Sequence, residues 1–127
     1  MSLLPKKNEQ GFFEIRLESI GGLGANLAGK MLAEAGVLGL GLNGSNFSSY
    51  GSEKKGTPVK AFIRFCDPDI EIRDHSPIEQ PHVIGVFHEA LYKTVDVVSG
   101  LRPDGIVLVN SSCDFDDIKK DLKVEYG

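Results

Sequence analysis

Glu18-Ser19-Ile20-Gly21-Gly22-Leu23-Gly24-Ala25-Asn26 decides how this chain folds. An apolar strand, Phe12 to Ile20, runs into a glycine-rich turn, and a small-residue helix, Ala25 to about Ala35, leaves it. Glycine lets backbone amides approach a ligand or a neighbour with no Cβ in the way. The first amides of the helix point back into the same turn and favour an anion there. Two functional readings follow: a phosphate-type site, or a surface where another subunit docks backbone to backbone. A plainer reading stands beside them, in which Ala25, Gly29, Ala33 and Gly36 are small so that the helix can lie close on a sheet.

Familiar nucleotide fingerprints do not fit the turn. A GxGxxG motif needs a third glycine where Leu27 stands, and an acidic residue at the end of the second strand, where the chain reads Leu42-Asn43-Gly44. A P-loop needs Ser or Thr after Gly29-Lys30, and Met31 stands there.

Working outward, Phe13, Ile15 and Leu17 alternate with Glu14, Arg16 and Glu18, as in a strand with one better-buried side. Leu27, Met31 and Ala35, with Ala28 and Leu32 beside them, predict the apolar stripe of the helix, which Gly36 and Gly39 end. Leu38 to Leu42 suggests a short second strand. Asn43 to Gly56 shows no period and reads as a long, functional loop. Thr57 to Phe65 is the clearest strand. Ile70-Glu71-Ile72 suggests a brief pairing, and Asp74 to Pro81 a loop. His82 to Phe87 reads as a buried strand, His88 to Leu101 as a helix with Leu91, Val95 and Val98 inward, and Ile106 to Val109 as another strand. Ser111, Ser112 or Asp114 caps a last helix whose first turn carries Asp114, Asp116 and Asp117. Lys123 to Tyr126 begins a further strand.

Strands alternating with helices predict an α/β fold. The expected form is a three-layer α/β/α sandwich with a mixed, mostly parallel sheet and at least one antiparallel partner for Thr57–Phe65. Residues 1–11 read as a flexible segment and 12–127 as one domain. Its end looks shortened, since such a domain normally closes with another helix.

A net charge of −4 argues against general nucleic-acid binding, which needs a basic face. Two cysteines, Cys66 and Cys113, form no CxxC pair, which argues against a disulfide scaffold or a metal cluster held by this chain alone. They fit cytoplasmic thiols. No run approaches the roughly 20 apolar residues of a membrane helix, and no signal peptide is visible.

Lys54, Lys55, Lys60 and Arg64 place four cations within eleven positions, the last two on one strand face, and suit a phosphate or carboxylate. His75, His82 and His88 show no ligand spacing and read as structural. Ser111-Ser112-Cys113 lacks a GxSxG elbow. No self-contained catalytic constellation appears, and none for a metal.

Gly21-Gly22-Leu23-Gly24, Tyr50-Gly51-Ser52-Glu53-Lys54-Lys55-Gly56 and Pro58-Val59-Lys60-Ala61-Phe62-Ile63-Arg64 together resemble the gamma subunit of pyruvate and other 2-oxoacid:ferredoxin oxidoreductases. That family shows a GxGGQG-like turn, then a YGPE-R/K-R/K-G-G-like segment leading into a V-x-A-x-V/I-R strand. Leu23, Ser52 and Thr57 depart from the pattern. The resemblance implies a part in coenzyme A-dependent oxidative decarboxylation of a 2-oxoacid such as pyruvate, with electrons passed to ferredoxin. It implies alpha, beta and delta-type partner subunits that carry thiamine diphosphate and iron–sulfur clusters. Coenzyme A is the one cofactor it brings near this chain. The cofactor-binding candidates are then Gly21, Gly22, Gly24, Ala25, Asn26, Tyr50, Gly51, Lys54, Lys55, Lys60 and Arg64. The alternatives are a stand-alone nucleotide- or anion-binding module and a purely structural docking subunit.

Overall fold

A computed structural model describes residues 4–20, 24–50, 58–94 and 96–122 of the chain. Strand β1 (Phe13–Ile20) lies at the centre. It is followed by α1 (Ala25–Glu34), a π-helical turn (Ala35–Gly39), β2 (Asn43–Tyr50) and β3 (Pro58–Cys66). Then come β4 (Val83–Val86), α2 (Glu89–Thr94), β5 (Ile106–Val109) and α3 (Phe115–Leu122).

The five described strands form one sheet in the order β2-β3-β1-β4-β5. β3 runs antiparallel to both β1 and β2, while β1, β4 and β5 run parallel. The sheet is therefore mixed, with β3 the one described strand that opposes the others, in line with the antiparallel partner expected for Thr57–Phe65. Ile15, Leu17, Ala61, Ile63 and Phe65 form a core with Ala33 of α1 on one face. On the other face Ile84 and Val86 pack with Leu91 and Tyr92 of α2 and Leu122 of α3. Helices thus lie on both faces, giving the α/β layering expected.

Several local expectations are corrected. The stripe Leu27, Met31 does not face the sheet: both side chains are exposed, at 63% and 60%, and Ala25, Gly29 and Ala33 are buried instead. The cause is close approach. A Cβ on Gly29 would lie 3.3 Å from that of Ala61, and one on Gly36 would lie 2.3 Å from the Phe65 ring. The small residues are thus fixed by packing, and the large ones point away.

Gly36 does not stop the helix, which continues as a π-helical turn and ends at Gly39, so Leu38–Leu42 is no strand. The true second strand is Asn43–Tyr50, at the start of the supposed loop. Its residues are mostly polar, and among the described strands it lies at the edge with one neighbour, where a strand need not alternate strongly. Ile70–Ile72 joins no described strand. The helix expected from His88 to Leu101 spans only Glu89–Thr94, and residues 97–100 form turns.

The segment before β1 is fastened at several points. Asn8 Oδ1 accepts from the amides of Gln10 and Phe12 at 3.0 and 2.9 Å, and Asn8 Nδ2 donates to Glu14 at 2.8 Å. Lys7 pairs with Asp67 at 2.6 Å. His82 serves the fold as expected: its Nδ1 accepts from the Glu14 amide at 3.0 Å. Burial first, then the nearby Arg102 charge, lowers its pKa, in keeping with a neutral ring. No helix among the described residues is long and apolar enough to cross a membrane.

Candidate functional site

Parallel strands β1 and β4 are neighbours, yet the chain leaves them on opposite faces. From β1 it passes through α1 towards β2 and β3; from β4 it passes through α2 to β5. The order of the sheet therefore reverses between β1 and β4, and the carboxyl ends of such strands are where α/β sheets form ligand crevices.

Gly24 stands just beyond the carboxyl end of β1 with φ 98°, a left-handed conformation that a side chain disfavours, and nothing within 4 Å would meet its Cβ. Glycine here serves the backbone conformation and leaves the approach open. Ala25 is buried as the first residue of α1, and the helix has no side-chain cap and no acidic residue in its first turn. The hydroxyl of Ser48 donates to Asn26 Oδ1 at 2.6 Å, which ties the start of α1 to edge strand β2. Pro58 lies opposite Ile20, and Tyr50 opposite Val59. The strand ends on either side of residues 51–57 thus reach the same end of the sheet as the glycine turn. Gly21, Gly22, Gly51, Lys54 and Lys55 lie outside the described residues, as do the side chain of Tyr50 and the strand expected at Lys123–Tyr126.

The two remaining cations separate. Lys60 is towards the carboxyl end of β1, half-exposed, with Nζ 3.2 Å from Glu18 Oε1. Arg64 is one strand-length away, about 13 Å at ~3.3 Å per residue. There it is 2% exposed, with Nε donating to Glu14 Oε2 at 2.7 Å and its guanidinium 5.6 Å from the Phe47 ring centre. Lys60 and Arg64 share a face, as predicted, but not a site: Arg64 neutralises a buried carboxylate at the opposite end of β1.

Glu18 is almost wholly buried between two cations. Arg16 Nε stands 3.0 Å from the same Oε1, at ion-pair distance but without hydrogen-bond alignment. Arg16 is anchored elsewhere too, donating to the carbonyls of Ile78, Val97 and Ser99. Burial raises the Glu18 pKa, and Lys60 and then Arg16 oppose the rise. Lys60 is the most exposed member of this cluster.

Sequence reasoning missed a second contact. Ser19, fully buried, hydrogen-bonds His88 Nε2 at 3.1 Å, joining the carboxyl ends of β1 and β4. Its signal was hidden because the two residues are 69 positions apart, and only the pairing of β1 with β4 brings them together. Further along the same rim, Glu89 Oε1 accepts from Ser111 Oγ at 2.7 Å and from the Ser112 amide at 2.6 Å. These bonds, with the Ser112 hydroxyl, pull its pKa down to about 2. Ser111 and Ser112 therefore hold the start of α2 to the β5–α3 turn, a structural duty of another kind than capping α3 alone. Cys113 stands in the same cluster, 3.7 Å from Glu89 Oε1, and Cys66 is buried with its thiol donating to the Ile70 carbonyl. No group of three or more metal-binding side chains occurs among the described residues.

Comparisons with known proteins agree on one relationship. The sequence matches the family described as pyruvate ferredoxin/flavodoxin oxidoreductase over residues 14–125. Pyruvate synthase subunit PorC of Thermotoga maritima is 42% identical over 109 residues, which cover 86% of this chain and 55% of that protein. The pyruvate/ketoisovalerate oxidoreductases common subunit gamma of Pyrococcus abyssi is 39% identical over 110 residues, 87% of this chain and 58% of that protein. The crystal structure of the Thermotoga maritima PorC superposes with a TM-score of 0.74 at 37% identity, covering 89% of this chain and 57% of that one. A keto/oxoacid ferredoxin oxidoreductase gamma subunit from Geobacter sulfurreducens gives a TM-score of 0.58 at 26% identity, covering 78% and 50%. The chain spans a little over half the length of the curated relatives it matches.

Proposed function

The chain belongs to the pyruvate ferredoxin/flavodoxin oxidoreductase family, and from that premise we propose that it acts as the gamma-type component of a 2-oxoacid:ferredoxin oxidoreductase. It supports coenzyme A-dependent oxidative decarboxylation of an oxoacid such as pyruvate. The family match across residues 14–125 carries this reading. Alpha, beta and delta-type subunits are the partners, ferredoxin takes the electrons, and the complex works in the cytoplasm.

Redox and thiamine chemistry belong to the partners. Iron–sulfur clusters are held by sets of about four cysteine thiolates, and this sequence has two cysteines, one buried against a backbone carbonyl and one beside a carboxylate. These residues do not fit a cluster, and no step of the reaction is assigned to them. Coenzyme A fits the chain better. When bound it supplies the thiol that accepts the acyl group. The open backbone at Gly24, the uncapped start of α1 and the half-exposed Lys60 lie at one end of the sheet, and the strand ends beside Lys54 and Lys55 reach the same end. These groups bind and orient phosphates; none moves a proton or forms a bond. Arg64 is left out, since its charge is already matched by Glu14.

The test is the Michaelis constant for coenzyme A of the assembled complex carrying Lys54→Ala and Lys55→Ala together, and Lys60→Met separately. Each is expected to raise that constant about tenfold, a loss near 1.4 kcal/mol, while the constant for the oxoacid stays unchanged. Unaltered coenzyme A constants in both variants would remove the assignment.

A further inference from the structure

Glu18 holds its carboxylate between two cations of unlike freedom. Its backbone is gripped on both sides, paired with Lys60 of β3 and Val86 of β4, and its carbonyl accepts from the Phe87 amide at 3.0 Å. The side chain is 2% exposed, and Arg16 Nε and Lys60 Nζ stand 3.0 and 3.2 Å from the same Oε1. Neither contact is an aligned hydrogen bond, since Oε1 is buried without one among the described residues. Charge holds the three groups together.

Arg16 is fixed in place. It is buried, and its guanidinium donates to the carbonyls of Ile78, Val97 and Ser99. Lys60 has no such anchor: its side chain is 39% exposed, and among the described residues Glu18 is the partner of its ammonium. A buried carboxylate stripped of its last cation is strongly destabilised. With Arg16 fixed beside it, Glu18 keeps a counter-charge when Lys60 swings away. Lys60 is the movable member of the three.

We propose that Glu18 is a positioning residue for Lys60, holding the ammonium towards the carboxyl end of β1 and setting how much of its charge an incoming phosphate receives. The inference rests on the reading of Lys60 as a coenzyme A contact, and adds what governs that contact. A phosphate of the ligand and the Glu18 carboxylate compete for one ammonium. The ionised carboxylate draws Lys60 back, and the protonated one lets it go. Burial raises the Glu18 pKa, against the opposing charges of Lys60 and then Arg16. The proton is therefore taken up at a higher pH than by an exposed glutamate, and Lys60 is freed as pH falls through that value. From β4 no charge faces Glu18, since its partner there, Val86, is apolar. Ser19, next along β1, turns to the opposite face, where it meets His88.

Glu18→Gln keeps the shape of the side chain and removes its charge. In the assembled complex carrying it, trace acylation of Lys60, counted against the exposed Lys120 of the same molecule, should rise about threefold, the effect of losing a half-exposed ion pair. The Michaelis constant for coenzyme A should fall by about the same factor near pH 8. The gap between variant and unsubstituted complex should close as pH is lowered towards about 5, because Glu18 then loses its own charge. If Glu18→Gln does not assemble, the unsubstituted complex carries the test: acylation of Lys60 relative to Lys120 should rise as pH falls. Unchanged labelling, or a coenzyme A constant displaced equally at every pH, overturns the proposal. Should Lys60→Met leave the coenzyme A constant unaltered while Glu18→Gln still raises the labelling, the ligand reading fails and the hold of Glu18 on Lys60 stands.

Discussion

Glu89 accepts hydrogen bonds from two serines, one of their amides and a thiol, and these hold its pKa near 2. The folded value lies below the ordinary 4.5, so the stability it contributes is present above pH 4.5 and is lost as pH falls towards 2. Glu89→Gln should therefore flatten the difference in urea midpoint between pH 4.5 and 2 compared with the unsubstituted chain. An acid limb as steep as before would show that these bonds do not favour the charged form. Arg64 and Glu14 pose the opposite problem at the far end of β1, since both are buried. Removing one partner strands the other, so Arg64→Ala should cost about 3–5 kcal/mol, while replacing both with leucine should cost much less. A double-mutant cycle by denaturant unfolding measures this. Nothing in the sequence announced that Arg64 belongs to the core, because on a strand that alternates Lys60, Phe62 and Arg64 the two cations look alike; only their different partners on β1 tell them apart.

Helix α1 shows how an element can be legible in its type and hidden in its orientation. Its start at Ala25 and its small-residue face follow directly from the chain. The choice between the small face and the Leu27–Met31 stripe does not, since both recur at helical spacing. Contact with β3 settles it, because the helix lies so close that a Cβ on Gly29 would touch Ala61 and one on Gly36 would run into the Phe65 ring. Two substitutions separate the roles. Gly29→Ala meets Ala61 at 3.3 Å, and the helix preference of alanine over glycine, about 1 kcal/mol, offsets the tight contact. It should change stability by less than about 1 kcal/mol. Gly36→Ala would drive a methyl into the Phe65 ring and should cost about 1–3 kcal/mol as an overpacked core does. Thermal unfolding of the pair checks the order; equal effects would refute the packing account. Strand β2 was lost to reading for the converse reason. Asn43–Tyr50 has polar residues on both faces, and its strand character comes from eight backbone pairings with β3 rather than from its own pattern.

At the scale of the whole molecule, the layered α/β form was legible because Phe13–Ile20, Pro58–Cys66 and Val83–Val86 each carry a clear apolar signal and make the centre of the sheet. The neighbours of each strand were not legible, and so neither was the Ser19–His88 contact, which exists only because β1 lies beside β4. The two candidate motifs are readable in the sequence, and the pairings of Pro58 with Ile20 and Tyr50 with Val59 bring the described strand ends beside them to one end of the sheet. On the proposed reading those motifs serve an assembly, to which the described residues lend backbone, a lysine and packing surface. The most direct measurement is purification of the tagged chain from its own cells, followed by assay of coenzyme A-dependent electron transfer from pyruvate and other 2-oxoacids to ferredoxin. The account predicts co-purification with thiamine diphosphate- and iron–sulfur-bearing subunits and activity that depends on coenzyme A. Recovery of the chain alone, or with partners that decarboxylate no 2-oxoacid, would contradict it.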